Sequence, residues 1–348
     1  MSDKTPVRAP RGPLRVLLLF GVREHPGPPE RHAEYEEAMF TDEAWFTEGH
    51  VLEALREAGH EVFLGPIHRD VRELIEVVDR TKPDVVWNAC EIFQERRHYE
   101  VHIAATLELL GIPFTGCGFE SLVVCKDKAL SNKVLRHHRV SVPQFIVSRL
   151  ERPLKKLAPG LLPAFVKPLS SEGSEGISRD AFAETAEKAL DRVRFLHQSL
   201  QTDVIVERFI PGRELYVGVL GNDRLRVFPP RELRFAKVPE GEPTYATYQT
   251  KWNADYRERW GIENAFAEDL DDSTLRAIGR TCRRAFRALR MSGYGRLDLR
   301  LSEGGKILVM EANPNPAITR GEDFAEAAAR AGIGYEELIS RILRLAFR

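Results

Sequence analysis

The sequence predicts an α/β domain with a parallel sheet, followed by a larger α+β region with antiparallel sheets. In the first third of the chain, short apolar strands alternate with helices, which is typical of parallel strands joined by right-handed crossovers. After about Cys117 the strands arrive in clusters with few helices between them, which favours antiparallel pairing. The length of 348 residues exceeds one ordinary core and indicates more than one domain.

The first region follows a simple order of strand and helix. Gly59 closes the first predicted helix, because glycine readily takes the left-handed conformation of a helix C-cap. No Gly-x-Gly-x-x-Gly motif follows the first strand, so a dinucleotide site has no support. The predicted strands are 15–20, 60–66, 84–90 and 112–116, and the predicted helices are 43–59, 70–81 and 99–111.

The second region contains one segment without either periodicity, 238–253, which is long for a connection and is predicted to be a mobile loop. Predicted strands are 142–148, 164–170, 203–209, 214–221, 224–233, 293–301 and 306–311. Predicted helices are 126–137, 181–200, 272–290, 323–331 and 335–347. The predicted division of the chain is a disordered tail over 1–13, an N-terminal domain over 14–118, a central subdomain over 119–201 and a C-terminal subdomain over 202–348.

Charge and composition exclude several classes of protein. Lys and Arg number 51 and Asp and Glu 52, so the net charge of −1 lacks the basic footprint of a nucleic-acid or membrane-surface binder. The apolar run near the start is too short to span a membrane, and the polar, Pro-rich residues 1–13 do not resemble a signal peptide. The four cysteines show no Cys-x-x-Cys spacing, which predicts reduced thiols in a cytoplasmic protein rather than disulfides or zinc ligands.

Residues 306–321 carry the first sign of chemistry. An apolar strand ends at Glu311, Asn313 follows, and the prolines beyond it are expected to stop the strand. A hairpin turn at Gly304–Gly305 places Asp298 roughly opposite Glu311. Oxygen ligands from Asp, Glu and Asn suit Mg²⁺, although a polar sheet end with a chance pairing is the alternative.

Two further segments carry weaker signals. Lys167 lies inside an apolar strand and precedes a Ser- and Gly-rich loop whose N–H groups are able to cover phosphates, although a strand lysine is more often a solvated edge residue. The loop is not a Walker A motif. In 203–215, backbone groups near Glu207 are able to meet an adenine edge and Glu214 a ribose, although an ordinary strand and turn is the simpler interpretation.

Taken together and in order, these segments resemble the ATP-grasp superfamily, and within it the D-alanine–D-alanine ligases. The resemblance rests on "ELLGIPFTGCG" followed by "KDKALSNKVL", and on "GYGRLDLRL" followed by "MEANPNP", and it covers about residues 80–347. It implies a pre-ATP-grasp domain over 14–118 and an ATP-grasp domain with subdomains over 119–201 and 202–348.

The resemblance also implies a role for each site residue. Asp298, Glu311 and Asn313 would bind Mg²⁺, with two ions expected and Mn²⁺ as an alternative. The implied nucleotide ligands are Lys128, Lys167 and Ser174 for the phosphates, Glu207, Phe209 and Ile210 for adenine, and Glu214 for ribose. The implied catalytic residues are Arg296, for the oxyanion of a tetrahedral intermediate, and Lys251, which reaches the γ-phosphate from a mobile loop.

The implied reaction activates a carboxylate with ATP and joins it to an amine through an acyl phosphate. The expected partners are small-molecule or peptide carboxylates and amines, with no nucleic acid and no membrane, and a homodimer is left open. Within the superfamily, a kinase that stops at phosphoryl transfer is an alternative, and a non-catalytic ATP-binding regulator is another.

Both amino-acid pockets depart from the family pattern. The Ser-x-Glu element after the first strand is absent, with only Glu24 nearby, and Glu322 falls where the family has a serine that receives the second substrate's carboxylate. Ala317 replaces the family's glycine in the same loop. Arg96, Arg97 and His98 are able to hold an anionic donor, although a solvated charge run is the simpler interpretation. The sequence therefore predicts a ligase whose product is not D-alanyl-D-alanine, with an ordinary cell-wall D-alanine ligase as the alternative.

Overall fold

The computed structural model describes residues 12–27, 32–170, 176–238 and 244–347. The predicted tail lies outside the described residues except for positions 12 and 13, and Ser174 also lies outside them.

The first described sheet is parallel, as the sequence predicts, and its strand order is β2–β1–β3. Its strands are β1 (Arg15–Gly21), β2 (Glu61–Ile67) and β3 (Val85–Asn88). The helices of this region are α1 (His32–Thr41), α2 (Phe46–Glu57), α3 (Val71–Thr81) and α4 (Glu100–Leu110). The predicted strand 112–116 contributes only a single bridge, between Val86 and Phe114. Helix α1 is missed by the sequence analysis, and Gly59 has the positive φ of 82° expected of a C-cap residue.

The second sheet is antiparallel, in the order β4–β7–β5–β6. Its strands are β4 (Phe145–Ser148), β5 (Ala164–Pro168), β6 (Phe182–Ala183) and β7 (Val204–Arg208). The helices are α5 (Phe119–Lys126), α6 (Lys128–His137) and α7 (Ala186–Leu200). The predicted helix 126–137 is wrong at its start, because Asp127 is extended and its side chain accepts the N–H of Leu130 at 2.9 Å as the N-cap of α6.

The third sheet has six strands, in the order β11–β10–β8–β12–β13 with β9 beside β8. Its strands are β8 (Gly212–Leu220), β9 (Arg226–Val227), β10 (Arg231–Phe235), β11 (Ile262–Phe266), β12 (Tyr294–Ser302) and β13 (Ile307–Pro314). The helices are α8 (Tyr248–Trp252), α9 (Ala254–Trp260), α10 (Asp272–Ala288), α11 (Asp323–Arg330) and α12 (Tyr335–Leu345). Short 3-10 turns occur at Glu43–Trp45, Arg97–Tyr99, Pro159–Leu161 and Arg179–Ala181.

Three predictions in this region are wrong. The predicted strand 224–233 is interrupted around Pro229 and Pro230, which cannot donate to a ladder. The predicted loop 238–253 is not a loop throughout, because its described part contains α8, while its mobility stays a prediction. Strand β13 continues to Pro314 instead of stopping before it, since β13 is an edge strand and needs ladder donors on one side only.

The buried core joins the first and third sheets. One cluster of buried side chains contains Phe20 and Trp87 from the parallel sheet together with Phe228, Phe324 and Leu338 from the C-terminal region. The four-stranded sheet packs against α7 in a separate cluster that includes residues of both. All four cysteines are buried free thiols, as predicted. None of the helices in the described part of the chain combines the length and apolar composition that crossing a membrane requires.

Candidate active site

Strands β12 and β13 bring two carboxylates face to face. Asp298 pairs in register with Glu311, as the sequence predicts. The register shifts directly after Asp298, where Leu299 pairs with Val309 and leaves Met310 as an extra, bulged residue. The hairpin alone, with Ser302 bonded to Lys306, would set Met310 opposite Asp298, so the bulge is what turns Glu311 toward Asp298.

Asp298 is held by Arg296, two residues earlier on the same face of β12. The Nε and Nη2 atoms of Arg296 donate to the two oxygens of Asp298 at 2.7 and 3.0 Å. Burial raises the pKa of Asp298, and the charge of Arg296 offsets part of that rise. The Arg296 guanidinium also lies 5.0 Å from the ring centroid of Tyr216 on β8. The predicted oxyanion arginine is therefore oriented by a carboxylate and an aromatic ring.

Three lysines from separate elements surround Glu311. The Nζ of Lys128, at the first position of α6, lies 3.1 Å from Glu311 Oε1. Burial opposes the ionised form of Glu311, but the charges of Lys128, Lys167 and Lys251 outweigh it and lower the pKa of this carboxyl to about 2. The tertiary fold thus brings together three lysines, the first and last of which are more than 100 residues apart in sequence, and no local pattern reveals this.

Lys167 and Glu207 form an ion pair inside the four-stranded sheet. Their Nζ and Oε2 atoms are 2.9 Å apart, and Glu207 is fully buried. Asn132 of α6 donates to the other oxygen of Glu207 at 3.2 Å, a contact that the sequence analysis missed. Burial works against the charge of Lys167, but Glu207 and Glu311 raise its pKa above the usual value. Lys167 is therefore a buried residue rather than a solvated edge lysine.

Phe209 and Ile210 follow β7 and line a cleft of about 920 Å³. Tyr245 lines the same cleft, and its ring centroid lies 4.9 Å from that of Phe165. The ring centroids of Phe182 and Phe209 are also 4.9 Å apart. The lining includes none of the three lysines and neither Asp298 nor Glu311, so the charged cluster is not part of this cleft. Its aromatic walls suit a flat heterocycle.

Glu214, near the start of β8, accepts three hydrogen bonds. They come from the hydroxyl of Tyr216 at 2.9 Å, from Nη2 of Arg300 at 3.0 Å and from the backbone N–H of Ala246 at 3.2 Å. The sequence analysis assigned neither Tyr216 nor Arg300 to the site, because a polar residue within a strand gives no periodic signal.

Residues 244–252, which we name the lid segment, lie against the other elements of the site. The hydroxyl of Tyr245 donates to the carbonyl of Arg179 at 2.7 Å. Thr247 and Thr250 form a capping box at the start of α8, where each side chain accepts a backbone N–H of the other residue. Lys251 lies in the last turn of α8 and contributes to the low pKa of Glu311.

Comparison with known proteins identifies the family. A family model described as the C-terminus of D-Ala–D-Ala ligase matches residues 142–344. The D-alanine–D-alanine ligase of Gluconobacter oxydans is 30% identical over 296 residues, which cover 84% of this chain and 90% of that protein. The chain belongs to the D-alanine–D-alanine ligase family. This D-alanine–D-alanine ligase-like protein is therefore an ATP-grasp ligase, of a kind that forms carbon–nitrogen bonds with ATP.

Two further comparisons show how widely the likeness extends. The vancomycin/teicoplanin A-type resistance protein VanA of Enterococcus faecium is 28% identical to the ligase-like protein over 250 residues, which cover 71% of this chain and 68% of VanA. The D-alanine–D-alanine ligase of Bacillus anthracis, solved in complex with ATP, superposes with a TM-score of 0.71 over 96% of this chain and 97% of that one. The identity to that structure is 19%, so the superposition demonstrates the predicted fold alone.

In the ligase-like protein, the side-chain amide of Asn315 fixes the loop after β13. Asn315 has a left-handed backbone, with φ of 50°, and its side-chain oxygen accepts the N–H of Cys117 at 2.7 Å. Gly116 leaves the space for this amide, since a Cβ at Gly116 would lie 2.2 Å from Asn315 Oδ1. The loop that follows Asn313 is therefore anchored to the segment between the parallel sheet and α5.

The residues that depart from the family pattern lie at the surface. Glu322 is the exposed N-cap residue of α11, and its side chain makes no cap hydrogen bond. Its neighbour Asp323 is the partly buried one and accepts from Arg231 at 3.0 Å and from Asn264 at 2.6 Å. The other departing residues with exposed side chains are Glu24, Arg96, Arg97, His98 and Ala317. Exposure of the arginines agrees with the simpler interpretation, that of a solvated charge run.

The donor set near Asp298 fits a hard cation. The described residues contain no cluster of three or more His, Cys, Asp or Glu side chains, so the predicted metal site depends on the amide of Asn313 as its third ligand. Asn313 pairs in register with Arg296, and its Nδ2 atom is buried with no hydrogen-bond partner among the described residues. A half-turn of this amide would present its oxygen at the same place, which gives a set of oxygen donors that suits Mg²⁺.

Proposed function

We propose that this ligase joins a carboxylate to an amine through an acyl phosphate, on a substrate pair other than two D-alanines. The observation that carries the proposal is the convergence of Lys128, Lys167 and Lys251 on Glu311, beside the Arg296–Asp298 pair. Fixed cations around buried carboxylates suit a polyphosphate that transfers its terminal phosphoryl group.

In the proposed site, the nucleotide lies between the two antiparallel sheets. Phe209 and Ile210 cover the adenine from the cleft, Glu207 is a further adenine residue, and Glu214 accepts from the ribose hydroxyls. Lys128 and Lys167 hold the phosphates, and Ser174 is proposed to close over them. Asp298, Glu311 and Asn313 would hold Mg²⁺, which when bound neutralises phosphate charge.

The proposed chemistry needs no protein nucleophile. An oxygen of the substrate carboxylate attacks the γ-phosphorus of ATP, the bond to the β-phosphate oxygen breaks, and ADP leaves. A neutral amine then attacks the acyl carbon, inorganic phosphate leaves, and the amine proton passes to solvent as the amide forms. Arg296 stabilises the oxyanion of the tetrahedral intermediate, and Lys251 neutralises charge on the transferred phosphoryl group.

The substrate assignment rests on the rebuilt pockets. Glu322 places an exposed carboxylate at the start of α11, where a carboxylate of the acceptor would be repelled. We therefore infer a small-molecule or peptide acceptor whose amine, rather than a carboxylate, faces this helix.

A second candidate, synthesis of D-alanyl-D-alanine, is favoured by the family match over residues 142–344. Membership of a ligase family speaks against the two remaining alternatives, a kinase and a non-catalytic regulator.

One assay separates these functions. The full chain is incubated with ATP, Mg²⁺ and a panel of carboxylates and amines, and ADP, phosphate and amide are measured, with hydroxylamine added in a parallel series. The proposal predicts amide with some pair other than D-alanine alone, and a hydroxamate when hydroxylamine replaces the amine. Efficient turnover on D-alanine alone identifies the second candidate. ADP formation without hydroxamate identifies a kinase, and ATP binding without ADP identifies a regulator.

A further inference from the structure

Arg300 is a buried cation on the same strand face as Arg296 and Asp298. It pairs in register with Glu214 across the β12–β8 ladder, and only 5% of its surface is exposed. A guanidinium cannot lose its charge when buried, so it has to be neutralised and hydrogen-bonded by its neighbours.

The contacts of Arg300 are divided between Glu214 and the backbone carbonyls of two residues that line the cleft. Nη2 donates to Glu214 Oε2 at 3.0 Å. Nη1 donates to the carbonyl of Gly212 at 3.0 Å and to that of Thr244, the first residue of the lid segment, at 3.1 Å. The guanidinium carbon lies 5.8 Å from the ring centroid of Phe209, which lines the cleft.

Two features leave hydrogen-bonding capacity in this network for a ligand. The Nε atom of Arg300 is buried and finds no acceptor among the described residues. Glu214 has two oxygens with about four acceptor positions, and Tyr216, Arg300 and Ala246 occupy three of them, so acceptor capacity is left for a hydroxyl. A buried donor without a partner is costly, which favours a polar ligand atom at this place.

We propose that Arg300 is a positioning residue that orients Glu214 toward the ribose hydroxyls of ATP and couples ribose binding to the lid segment. The proposal rests on the nucleotide site set out above. Arg300 touches the first residue of the lid segment and Glu214 touches the third, Ala246, so a change in either side chain reaches the lid through a direct hydrogen bond.

A purely structural ion pair between Arg300 and Glu214 would affect stability but would not distinguish one nucleotide sugar from another. The test therefore compares ATP with 2′,3′-dideoxy-ATP, which lacks both ribose hydroxyls. Binding of each nucleotide to the full chain with Mg²⁺ is measured by titration calorimetry, which requires no knowledge of the carboxylate or amine substrate.

We expect the unmodified protein to bind ATP at least ~10-fold more tightly than the dideoxy analogue, since a charged acceptor of a ligand hydrogen bond contributes about that much. Arg300→Met and Glu214→Gln should each reduce the ratio to within ~threefold, and the double variant should lose no more than either single change, because the two residues act as one unit. Arg300→Lys should restore part of the ratio, because it keeps the charge but not the fork of donors.

Arg213→Met is the matched control. Arg213 precedes Glu214 on β8 and pairs with Glu232 and Asp269, away from Glu214. The ratio of ATP affinity to dideoxy-ATP affinity of Arg213→Met should equal that of the unmodified protein.

The outcomes separate the inference from the proposed function. Absence of ATP binding by the unmodified protein overturns both. Equal binding of the two nucleotides by the unmodified protein overturns the ribose role of Glu214, and with it the inference, while ATP binding stands. An unchanged ratio in Arg300→Met overturns the inference alone. If Arg300→Met does not fold, Arg300→Lys decides, since a ratio equal to that of the unmodified protein overturns the inference.

Discussion

Asp298 and Glu311 face each other across the β12–β13 ladder because one bulged residue corrects the register of the hairpin. Without that bulge the strand would turn Met310 toward Asp298 and direct Glu311 to the other face of the sheet. Function at this site is therefore expected to depend on the carboxylate of Glu311 in particular.

Glu311→Gln removes one anionic oxygen from the centre of three lysines and from the proposed metal site. We expect Mg²⁺-dependent ADP release to fall at least ~100-fold, about 2.7 kcal/mol of barrier, with the fold retained. Steady-state ADP release and circular dichroism measure the two effects. Glu263→Gln, an exposed carboxylate on β11, is the control. Turnover of Glu311→Gln within ~threefold of the unmodified protein would rule out the metal assignment.

Glu48, on α2, supplies a prediction about pH. Burial raises the pKa of this carboxyl to about 8. In the unfolded chain the same group ionises near the ordinary glutamate pKa of 4.5, so between these two pH values the folded state binds the extra proton. Stability contributed by Glu48 is thus present below pH 4.5 and lost as the pH rises toward 8.

Glu48→Gln should therefore stabilise the protein at pH 8.5, by on the order of 1 to 4 kcal/mol, and have little effect at pH 4.5. Urea unfolding at both pH values measures the difference. An equal effect at the two pH values would contradict the raised pKa.

The lid segment is expected to be protected from proteolysis by nucleotide. Tyr245 and Ala246 already contact Arg179 and Glu214, and a bound nucleotide would add contacts on the same side. Tryptic cleavage after Lys251 should slow at least ~fivefold with a non-hydrolysable ATP analogue and Mg²⁺. Cleavage after Lys156, which is exposed and lies outside the lining of the cleft, is the internal reference. An unchanged rate at Lys251 would count against nucleotide-linked closure.

D-Alanine as the sole amino acid should support little ADP release by the unmodified protein. Glu322→Ser should raise that rate, because it removes a charge from the start of α11 and restores a hydroxyl. Serine is also a favoured N-cap residue, so the same change should stabilise α11 by about 1 kcal/mol. Glu326→Ser, one turn later in the helix, is the control for loss of charge. Robust turnover on D-alanine by the unmodified protein would assign it to the D-alanyl-D-alanine-forming ligases.

Gly116→Ala should destabilise the fold by on the order of 1 to 3 kcal/mol, because the new Cβ meets the Asn315 amide and the backbone φ is positive. In an Asn315→Gly background the clash is absent, and glycine accepts the left-handed backbone at 315. Gly116→Ala should therefore cost less stability in the Asn315→Gly protein than in the unmodified protein. Equal losses measured by urea unfolding would contradict the interlock.

Strand and helix alternation predicted the parallel sheet, because each of those strands is a short apolar run with a helix after it. The turn at Gly304–Gly305 also predicted that Asp298 faces Glu311, but the pairing depends on the bulge at Met310, which the sequence analysis did not predict. The same reasoning failed at α8, whose five residues are held by the Thr247–Thr250 box and by tertiary contacts rather than by periodicity.

Other parts of the site depend on contacts that are distant in sequence. Asn132, Tyr216 and Arg300 complete the surroundings of Glu207 and Glu214, yet each is a single polar residue within a helix or a strand. The family resemblance did not identify these three residues. Its motifs contain the proposed nucleotide ligands and not the residues that orient those ligands.

The shared core of the first and third sheets has a mechanical consequence. Phe20, Trp87, Phe228 and Phe324 pack in one cluster, whereas the four-stranded sheet and α7 pack in their own. We therefore expect the molecule to open by a rigid-body movement. The four-stranded sheet and α7 would rotate together, and Lys167 would move with them. The proposed carboxylate and amine sites would then stay fixed on the part built from the first and third sheets while nucleotide binds and dissociates.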